Sequence, residues 1–525
     1  MTFDEQKLYE LLPAIYRIRD AELVSDPEQI PPLQALIKII TEQAGVLEEN
    51  LAQLYDDQFV ETCAPWVLAY LGDLIGIKGL PSAGLETLNS RAEVGHTIGY
   101  RRRKGTAAML EQLARDVTRW PARAVEFFQL LATTQYLNHL RPENQSFISV
   151  RSAERLEYLD SAFEHATTGG ADLTHTVDVR RIASGRGRYN IPNAGIFLWR
   201  LREFPLTRSP AVPQSPGDKR CFFFNPLGCD LPLFNSPVTE DEVTHLAEPV
   251  NVPDRIRRRV LRSNFDEYYG TDKSLLIERL GPGVKPELVP IASTEIIVCN
   301  LTEWPNPPKN KSGTDPAEKI KIDPELGRIV FPDDQNQPPL GSFYYGFSAE
   351  TGGGEYNRLS SFEGQTGAPD DEGPPAVVRV DNTLDPTATI ANALAELKST
   401  GGIIEILNSG RYQENLGIEI TGQPDGKGKR IVIGAADKHR PTLMLSGGSL
   451  KISGGKDDEV ILDGLLIVNG AVNVVGEPHP QLGRLRLSHC TLVPGISLDS
   501  AGKPAQPGAA SLRIDSGNAR VEIDR

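Results

Sequence analysis

The chain has 525 residues, of which 39% are hydrophobic and 24% are charged, and its formal net charge is −15. One hydrophobic core stops growing beyond roughly 250–300 residues, so the length predicts several domains. No apolar run is long enough to span a membrane, and the acidic balance argues against general nucleic-acid binding.

The first residues, MTFDEQKLYELL, lack the cationic start and apolar core of a secretory signal. Five cysteines are scattered along the chain without a CxxC motif, which argues against a disulfide framework or a zinc site. This cysteine usage fits a reducing cytosol. Forty prolines and 48 glycines predict many turns and hence a large β component.

Residues 1–135 are predicted to be helical, and the clearest helix follows Pro31 and Pro32, which suit its first turn. Its apolar residues alternate spacings of four and three, the a/d pattern of a helix packed lengthwise on others. This seam consists of Leu33, Ile37, Ile40, Ala44, Leu47, Leu51 and Leu54. A second apolar side formed by Leu36, Ile39 and Val46 predicts more than one neighbouring helix. The pattern leaves open whether those neighbours belong to this chain or to others.

The stretch Ala64–Pro81 is predicted to be a short apolar helix. Core packing is favoured over a membrane surface because no cationic face accompanies it. A helix from Arg91 to Tyr100 is predicted next, followed by a basic run and then by a helix that Thr106 caps and Trp120-Pro121 ends.

The basic run comprises Arg101, Arg102, Arg103 and Lys104. Nucleic-acid binding would favour interleaved aromatic residues, and only Tyr100 adjoins the run. Arginine suits bidentate contacts with carboxylates, so the run is predicted to be a docking point for an acidic protein partner. The positive side chains also favour the negative end of the preceding helix.

The region from 136 to 265 is mixed, and THTVDVRRI and AGIFLWRLREF are each predicted to be a strand. From 266 onward short strands dominate, and Lys319–Phe331 is predicted to be a hairpin. Gly364–Pro375 is predicted to be a polar linker rich in proline and glycine.

After the linker, TATIANALAELKST predicts one helix, and a series of short strands follows it. Each strand carries an apolar pair two residues apart. The pairs are Ile404/Ile406, Ile418/Ile420, Ile431/Ile433, Leu443/Leu445, Leu450/Ile452, Val460/Leu462, Val472/Val474, Leu485/Leu487, Leu512/Ile514 and Val521/Ile523. Pairs this short predict stacked coils of a parallel β-helix. A β-sandwich is the main rival, although its strands are normally longer.

No catalytic, cofactor-binding or metal-binding set is predicted. The eight histidines are dispersed, and no HExxH or GxSxG motif is present. Gly352–Tyr356, GGGEY, does not lead from a strand into a helix as a phosphate loop does, so it is predicted to be a tight turn. Carboxylates of a polysaccharide-cleaving groove could come from KDDEVILDG, but Asp457 to Glu459 are predicted to be a solvated turn, and Asp463-Gly464 a corner.

The stretch YRRRKGTAAMLEQLARDVT resembles the signature of the phage tail protein I family. The segments LPAIYRIRD, EENLAQLYDDQFVETCAPWVLAYLGDLIG and VDVRRIASGRGRYNIPNAGIFLWRLREF resemble its large members from extracellular contractile injection systems. The resemblance covers about residues 8–265 and extends to about 360 through KIDPELGRIVF and YYGFSAETGGGEY. It says little about 376–525, because short members of the family lack that part.

The resemblance implies a baseplate wedge subunit. Such a subunit pairs with a larger wedge protein present in two copies, and their helices form a core bundle repeated around a sixfold baseplate. The seam would then face two helices of other chains. Further partners implied are neighbouring wedge subunits, the sheath-initiator and hub proteins, and peripheral fibres. No cofactor, nucleic acid or direct membrane span is implied, and the particle would assemble in the cytoplasm and be either released or membrane-anchored.

The fold expected is multidomain α+β. An amino-terminal helical bundle region (1–135) is followed by a mixed α/β domain like tail protein I (136–265) and a β-rich domain with linker (266–375). The start of a right-handed parallel β-helix (376–525) completes it. The expected function is structural and non-enzymatic. The alternatives are a tailspike-like carbohydrate-active enzyme that uses the β-helix, and a nucleic-acid-binding protein.

The last residues, SLRIDSGNARVEIDR, repeat the paired pattern of the short strands and then stop. Stacked coils need a cap, because an uncapped end exposes apolar side chains and unpaired backbone groups. The sequence therefore predicts that the natural polypeptide continues beyond these residues.

Overall fold

A computed structural model describes residues 5–24, 30–77, 90–131, 151, 158–164, 175–182, 186–215, 217–239, 248–281, 287–304, 319–359, 375–383, 385, 387–420, 428–499, 502–517 and 519–524. The chain divides into two compact units, Met1–Arg200 and Leu201–Arg525. This division is coarser than the four predicted segments and cuts the second of them. The boundaries predicted at 135, 265 and 375 stay predictions, and residues 364–374 of the predicted linker lie outside the described residues.

The described helices of the amino-terminal unit follow the predicted order, but the helix predicted over Ala64–Pro81 is shorter in its described part. Residues 122–126, predicted to be helical, form a strand. The helices are α1 (Glu5–Glu10), α2 (Ala14–Glu22), α3 (Pro32–Asp56), α4 (Leu68–Leu74), α5 (Ser90–Arg102) and α6 (Ala107–Thr118). The predicted cap of α6 is confirmed, because the Thr106 hydroxyl accepts a hydrogen bond from the Met109 amide at 3.3 Å. The α6 helix ends before Trp120-Pro121, where Arg119 takes a left-handed conformation with φ 62°.

Two antiparallel strands complete this unit, β1 (Ala122–Glu126) and β2 (Ala194–Leu198). A 3-10 turn, Phe127–Leu130, follows β1 and supplies part of a small core. The prediction of one strand over AGIFLWRLREF was wrong. The stretch instead forms β2 and the start of β3 (Arg202–Pro210), which belong to different sheets. Each half pairs with its own neighbour, Ala194–Leu198 with β1 and the later half with a strand of the second unit.

The strand predicted over THTVDVRRI was also wrong for its described part, residues 175–182. Only His175 forms an isolated bridge there, to Leu131. Asp178 explains the difference, because its carboxylate accepts hydrogen bonds from the Arg180 guanidinium and from the amides of Arg180 and Gly187. A local side-chain network of this kind competes with a sheet ladder for the backbone. The Arg180 hydrogen bonds hold the pKa of Asp178 below its usual range.

The first part of the carboxy-terminal unit contains one mixed and one antiparallel sheet. The strands after β3 are β4 (Val212–Pro213), β5 (Cys221–Phe223), β6 (Leu233–Phe234), β7 (Leu275–Leu280), β8 (Leu288–Pro290), β9 (Ile296–Val298), β10 (Ile320–Asp323), β11 (Arg328–Val330) and β12 (Leu340–Phe347). The orders are β4-β5-β11-β10-β9 and β3-β12-β7-β8, and β6 pairs with β12. Helices α7 (Arg258–Ser263) and α8 (Phe265–Tyr268) pack at their edge.

The predicted hairpin over Lys319–Phe331 is confirmed as β10 and β11, which pair antiparallel. The Asp323 carboxylate holds its turn by accepting hydrogen bonds from the Leu301 and Glu325 amides and from the Arg258 guanidinium. Gly327 closes the turn with φ 64°, a backbone conformation that favours glycine.

The last part contains helix α9 (Ile390–Leu397) and many short strands. They are β13 (Val377–Val380), β14 (Gly402–Ile406), β15 (Arg411–Glu414), β16 (Gly417–Glu419), β17 (Arg430–Ala435), β18 (Thr442–Leu445), β19 (Ser449–Ser453), β20 (Glu459–Asp463), β21 (Leu466–Val468), β22 (Ala471–Val474), β23 (Arg484–Ser488), β24 (Thr491–Val493), β25 (Leu512–Ile514) and β26 (Arg520–Asp524). Among the described strands they form three sheets, β13-β14-β17-β20-β23-β26, β15-β18-β21-β24 and β16-β19-β22-β25. From β14 on, each sheet therefore takes every third strand.

Every pairing recorded among these described strands is parallel, unlike the antiparallel sheets of a β-sandwich. The predicted apolar pairs stack in register. Ile404, for example, lies opposite Ile433, which lies opposite Leu462, which lies opposite Leu487. All four are at most 3% exposed and share one core that lies between the three sheets. The fold is mixed α+β, with a parallel β region at its carboxy-terminal end.

The segment 352–358, called the strap, lies against the turns of this parallel region. The buried guanidinium of Arg358 donates to the Asp463 carboxylate at 3.1 Å and to the His439 carbonyl at 2.7 Å. The Tyr356 hydroxyl lies 2.9 Å from Nδ1 of His489. The glycines permit this close approach, since a Cβ on Gly353 would lie 2.9 Å from the Leu465 carbonyl oxygen. The stretch GGGEY therefore has a structural role.

Replacing Arg358 with Met is expected to destabilise the carboxy-terminal unit by about 3–5 kcal/mol, because it leaves the Asp463 carboxylate buried without its cation. Urea unfolding of the full chain followed by circular dichroism measures the loss. Arg513→Met is the matched control, since the ion pair between Arg513 and Asp515 is exposed and contributes little. A loss below about 1 kcal/mol for Arg358→Met contradicts the role assigned to the strap.

Candidate protein interaction site

The predicted seam helix is confirmed as α3, a 25-residue helix in which no residue is buried. Eight of its large apolar side chains are 50–67% exposed, from the second turn of the helix to its end. These residues are Leu36, Ile39, Ile40, Val46, Leu47, Leu51, Leu54 and Tyr55. Only Leu33, Ile37 and Ala44 of the seam are half-buried. Both apolar sides of the helix therefore face solvent over most of its length.

The start of α3 is fixed by Asp20 of α2. The Asp20 carboxylate accepts hydrogen bonds from the amides of Leu33 at 2.8 Å and Gln34 at 3.1 Å. These are the second and third residues of the helix, whose amides have no partner within it. The Tyr9 hydroxyl donates to the same carboxylate, which is 4% exposed. Helices α1 and α2 are thereby fixed at one end of α3.

Helix α4 adds a second exposed apolar surface. Val67 and Leu68 pack into a small core with Cys63, as predicted for this segment. Trp66, Tyr70 and Leu74, spaced four residues apart, are instead 65–83% exposed. Like the exposed side chains of α3, they give the unit apolar surface that faces solvent. Residues 78–81 of the predicted Ala64–Pro81 helix lie outside the described residues.

Two arginines of α5 bind backbone carbonyls on either side of α4. Arg91 donates to the Cys63 carbonyl at 2.7 Å and to the Val60 carbonyl, just before α4. Arg101 donates to the carbonyls of Ile75 at 2.6 Å and Gly76 at 3.0 Å, just after α4. The last carbonyls of a helix carry partial negative charge and have no partner within it. The first arginine of the basic run therefore orients α4, a role that the sequence did not reveal.

The other cations of the basic run remain available on the surface. Arg103 makes a long hydrogen bond of 3.5 Å to the Gly99 carbonyl. Arg102 and Lys104 are exposed and form no ion pair within the described part of the chain. The structure places the run at the carboxy-terminal end of α5, close to the end of α4.

A buried carboxylate lies between α5 and α6 and was not predicted from the sequence. Asp116 is 8% exposed and lies 2.7 Å from Nδ1 of His96. It also accepts hydrogen bonds from the Tyr100 hydroxyl and from Gln112 at 3.0 Å. Burial and this carboxylate raise the pKa of Tyr100 well above its usual range. The presence of His96 and Asp116 on two consecutive predicted helices was the sequence feature that could have indicated this contact.

The carboxylates considered for a catalytic groove stabilise the fold through hydrogen bonds and ion pairs. Asp458, predicted to be in a solvated turn, is 5% exposed and accepts hydrogen bonds from the amides of Lys429 and Gly455. That prediction was wrong, because the carboxylate closes its own turn. Asp463 pairs with Arg358, and Gly464 forms the predicted corner with φ 72°. Within the described ranges, no group of three or more His, Cys, Asp or Glu residues could hold a metal ion.

No described helix combines the length and apolar character needed to cross a membrane. No family model, no curated protein and no solved structure matches the chain.

Replacing Arg101 with Ala is expected to destabilise the amino-terminal unit by about 1 kcal/mol, because two carbonyls after α4 lose their donor. Three of the four tryptophans, Trp66, Trp120 and Trp199, lie in this unit, so urea unfolding followed by tryptophan fluorescence reports on it. Arg102→Ala removes an equal charge from a side chain that forms no hydrogen bond or ion pair in the described part of the chain. Its free energy of unfolding is expected to stay within about 0.5 kcal/mol of the wild-type value. Equal losses in both variants contradict the role assigned to Arg101.

Proposed function

We propose that this chain is a non-enzymatic structural subunit of the baseplate wedge of a contractile, phage-tail-like injection system. The observation that carries the proposal is α3, whose two apolar sides are exposed over most of its length. A large exposed apolar surface on a soluble unit marks a protein interaction site. In this proposal, α3 packs lengthwise against two helices of a larger wedge protein, as the resemblance to the phage tail protein I family implies.

The alternation of four and three residues along the seam supports a lengthwise helical partner. Side chains at this spacing fit into the gaps of a neighbouring helix, and the seam winds slowly around the helix axis. The additional strip of Leu36, Ile39 and Val46, 50–58% exposed, supports a second partner helix. Burial of one Leu or Ile side chain contributes roughly 1.5–3 kcal/mol, so covering both sides gives ample energy for a stable complex.

We infer that the three parallel sheets of the carboxy-terminal region wind as a right-handed parallel β-helix. The support is that each sheet takes every third strand and that apolar residues stack in register between the sheets. Parallel crossovers are nearly always right-handed. In the wedge this region projects to the periphery and links to neighbouring subunits or fibres. The middle sheets and the strap brace it.

The alternative of a tailspike-like enzyme needs free carboxylates along one groove of this region. Among the carboxylates considered for such a groove, Asp458 and Asp463 are buried and hydrogen-bonded. Glu459 forms ion pairs with Arg430 and Arg484. That engagement favours the structural proposal. The alternative of nucleic-acid binding needs a free basic surface, and Arg101 is engaged with carbonyls.

The double variant Ile40→Asp/Leu47→Asp is expected to block wedge assembly. These side chains are 55% and 65% exposed, so the carboxylates cost the isolated chain little but cannot be buried against partner helices. Electron microscopy of particles from cells that carry the variant reads assembly, and circular dichroism of the isolated chain reads folding.

The matched control for this variant is Gln43→Asp/Asn50→Asp, which adds the same charges at the same spacing on polar positions of α3. It is expected to assemble. Normal particles from the Ile40/Leu47 variant contradict the proposal. A fall of several kcal/mol in the stability of the isolated chain does so too, because it shows that the seam packs within its own chain.

Charge reversal at Arg102 and Lys104 to Glu is expected to reduce particle assembly, because these cations have no recorded ion pair in the described chain and would meet carboxylates of a partner. The yield of intact particles on a density gradient measures the effect. Duplex DNA binding by the isolated wild-type chain at physiological salt, lost on charge reversal, would instead favour a nucleic-acid site.

A further inference from the structure

Arg411 begins strand β15, the first strand of its parallel sheet. Its neighbour Tyr412 points into the core between the sheets. Side chains alternate along a strand, so Arg411 points to the opposite, outer face. On that face Met444, Leu466 and Val468 pack with Leu227 of the middle region. Arg411 therefore lies on the face of the parallel sheet that borders the middle region of the same unit.

The guanidinium of Arg411 has no hydrogen-bond or ion-pair partner anywhere in the described structure, and its Nε is buried. Three other arginines of this unit each form an ion pair with a buried carboxylate. Arg358 pairs with Asp463, Arg258 with Asp323, and Arg208 with Glu278. Removal from water lowers the pKa of Arg411, and no nearby carboxylate opposes that effect. A cation taken out of water without an anion is costly, so an anion that binds beside Arg411 would be stabilised.

Two further unpartnered groups lie beside Arg411. Thr442 is its direct partner in the strand ladder, about 5 Å away, and its hydroxyl is buried without a hydrogen bond. Thr442 as a whole is 1% exposed. Arg440 precedes it by two residues and stacks over the ring of Tyr345, with 5.0 Å between the guanidinium carbon and the ring centre. The buried Nε of Arg440 also has no partner.

We propose that Arg411, Arg440 and Thr442 form a binding site for a tetrahedral oxyanion, phosphate or sulfate. Guanidinium groups bind such ions with two parallel hydrogen bonds, and a buried hydroxyl adds a third direction of donation. A tetrahedral ion offers enough oxygens for all three side chains, whereas a carboxylate offers only two. This inference goes beyond the proposed function and does not depend on it.

The one carboxylate bonded next to the site does not fill this role. Glu355 of the strap accepts hydrogen bonds from the Thr207 amide and hydroxyl, each at 2.8 Å, and from the Ser409 hydroxyl. Ser409 in turn accepts from the Arg440 amide at 3.0 Å. The Glu355 carboxylate makes no hydrogen bond or ion pair with either guanidinium in the described part of the chain, so Arg411 and Arg440 can both donate to the ion.

The bound ion would connect the first two strands of the sheet to the middle region. Arg411 belongs to β15, Arg440 and Thr442 to the next coil, and Tyr345 to β12. Binding at this border stabilises the folded unit and not the unfolded chain, so the ion raises the unfolding temperature. The effect depends on the identity of the anion and saturates, unlike general screening by salt.

Isothermal titration calorimetry of the full chain with inorganic phosphate, inorganic sulfate and chloride at matched ionic strength tests the site. The expected result is one saturable site for phosphate or sulfate and none for chloride, with a rise of about 2–4 °C in the unfolding temperature of the carboxy-terminal unit. Comparison of the phosphate and sulfate titrations identifies the preferred ion. Arg411→Gln is expected to weaken binding at least tenfold, and Thr442→Val to weaken it less.

Arg513→Gln is the matched control, because it removes an exposed arginine of the same region that is paired with Asp515. It is expected to bind as the wild type does. Absence of saturable binding to the wild type overturns the proposal, as does equal binding by Arg411→Gln. Arg440→Gln provides a second reading should Arg411→Gln fail to fold, and unchanged binding by that variant also overturns the proposal.

Discussion

A helix that is apolar on two sides is stable in water only when other protein surfaces cover both sides. In the amino-terminal unit, α3 has two apolar sides, and both are largely exposed. Helices α1 and α2 contact α3, and the Asp20 carboxylate of α2 caps its start. From Ile40 onward its apolar side chains face solvent. The cost of leaving such a surface in water is the driving force for association. The wedge proposal gives that surface a partner of fitting shape.

The polar residues of both units serve mainly to position backbone. Arg91 and Arg101 hold carbonyls on either side of α4, and Asp458 closes a turn of the parallel region. Through the ion pair of Arg358 with Asp463, the strap joins the middle region to the parallel sheets within one compact unit. Asp458, Arg358 and Asp463 are buried, and their contacts satisfy groups that are costly to leave unpaired. Arg411 stands apart because the described structure gives its charge no partner.

Local patterns were predictable from the sequence, and distant contacts were not. The periodicity of α3, the Thr106 cap, the hairpin of β10 and β11 and the short parallel strands all depend on neighbouring residues. The strap, the Asp20 cap and the Arg101 contacts join residues far apart in sequence, so no local pattern marks them. The strand predicted around Val177 does not form, because the Asp178 carboxylate accepts hydrogen bonds from the amide and the guanidinium of Arg180. Of the candidate site, the seam was predictable, whereas the exposed surface of α4 required the fold.

The most direct test of the account is the composition of the complex that this chain forms. Co-expression with the genes that flank its own, followed by affinity purification and native mass spectrometry, measures it. The account predicts one copy of this chain with two copies of a larger protein, held together through α3. Recovery of this chain alone and monodisperse, while the flanking proteins are soluble in the same extract, would contradict it.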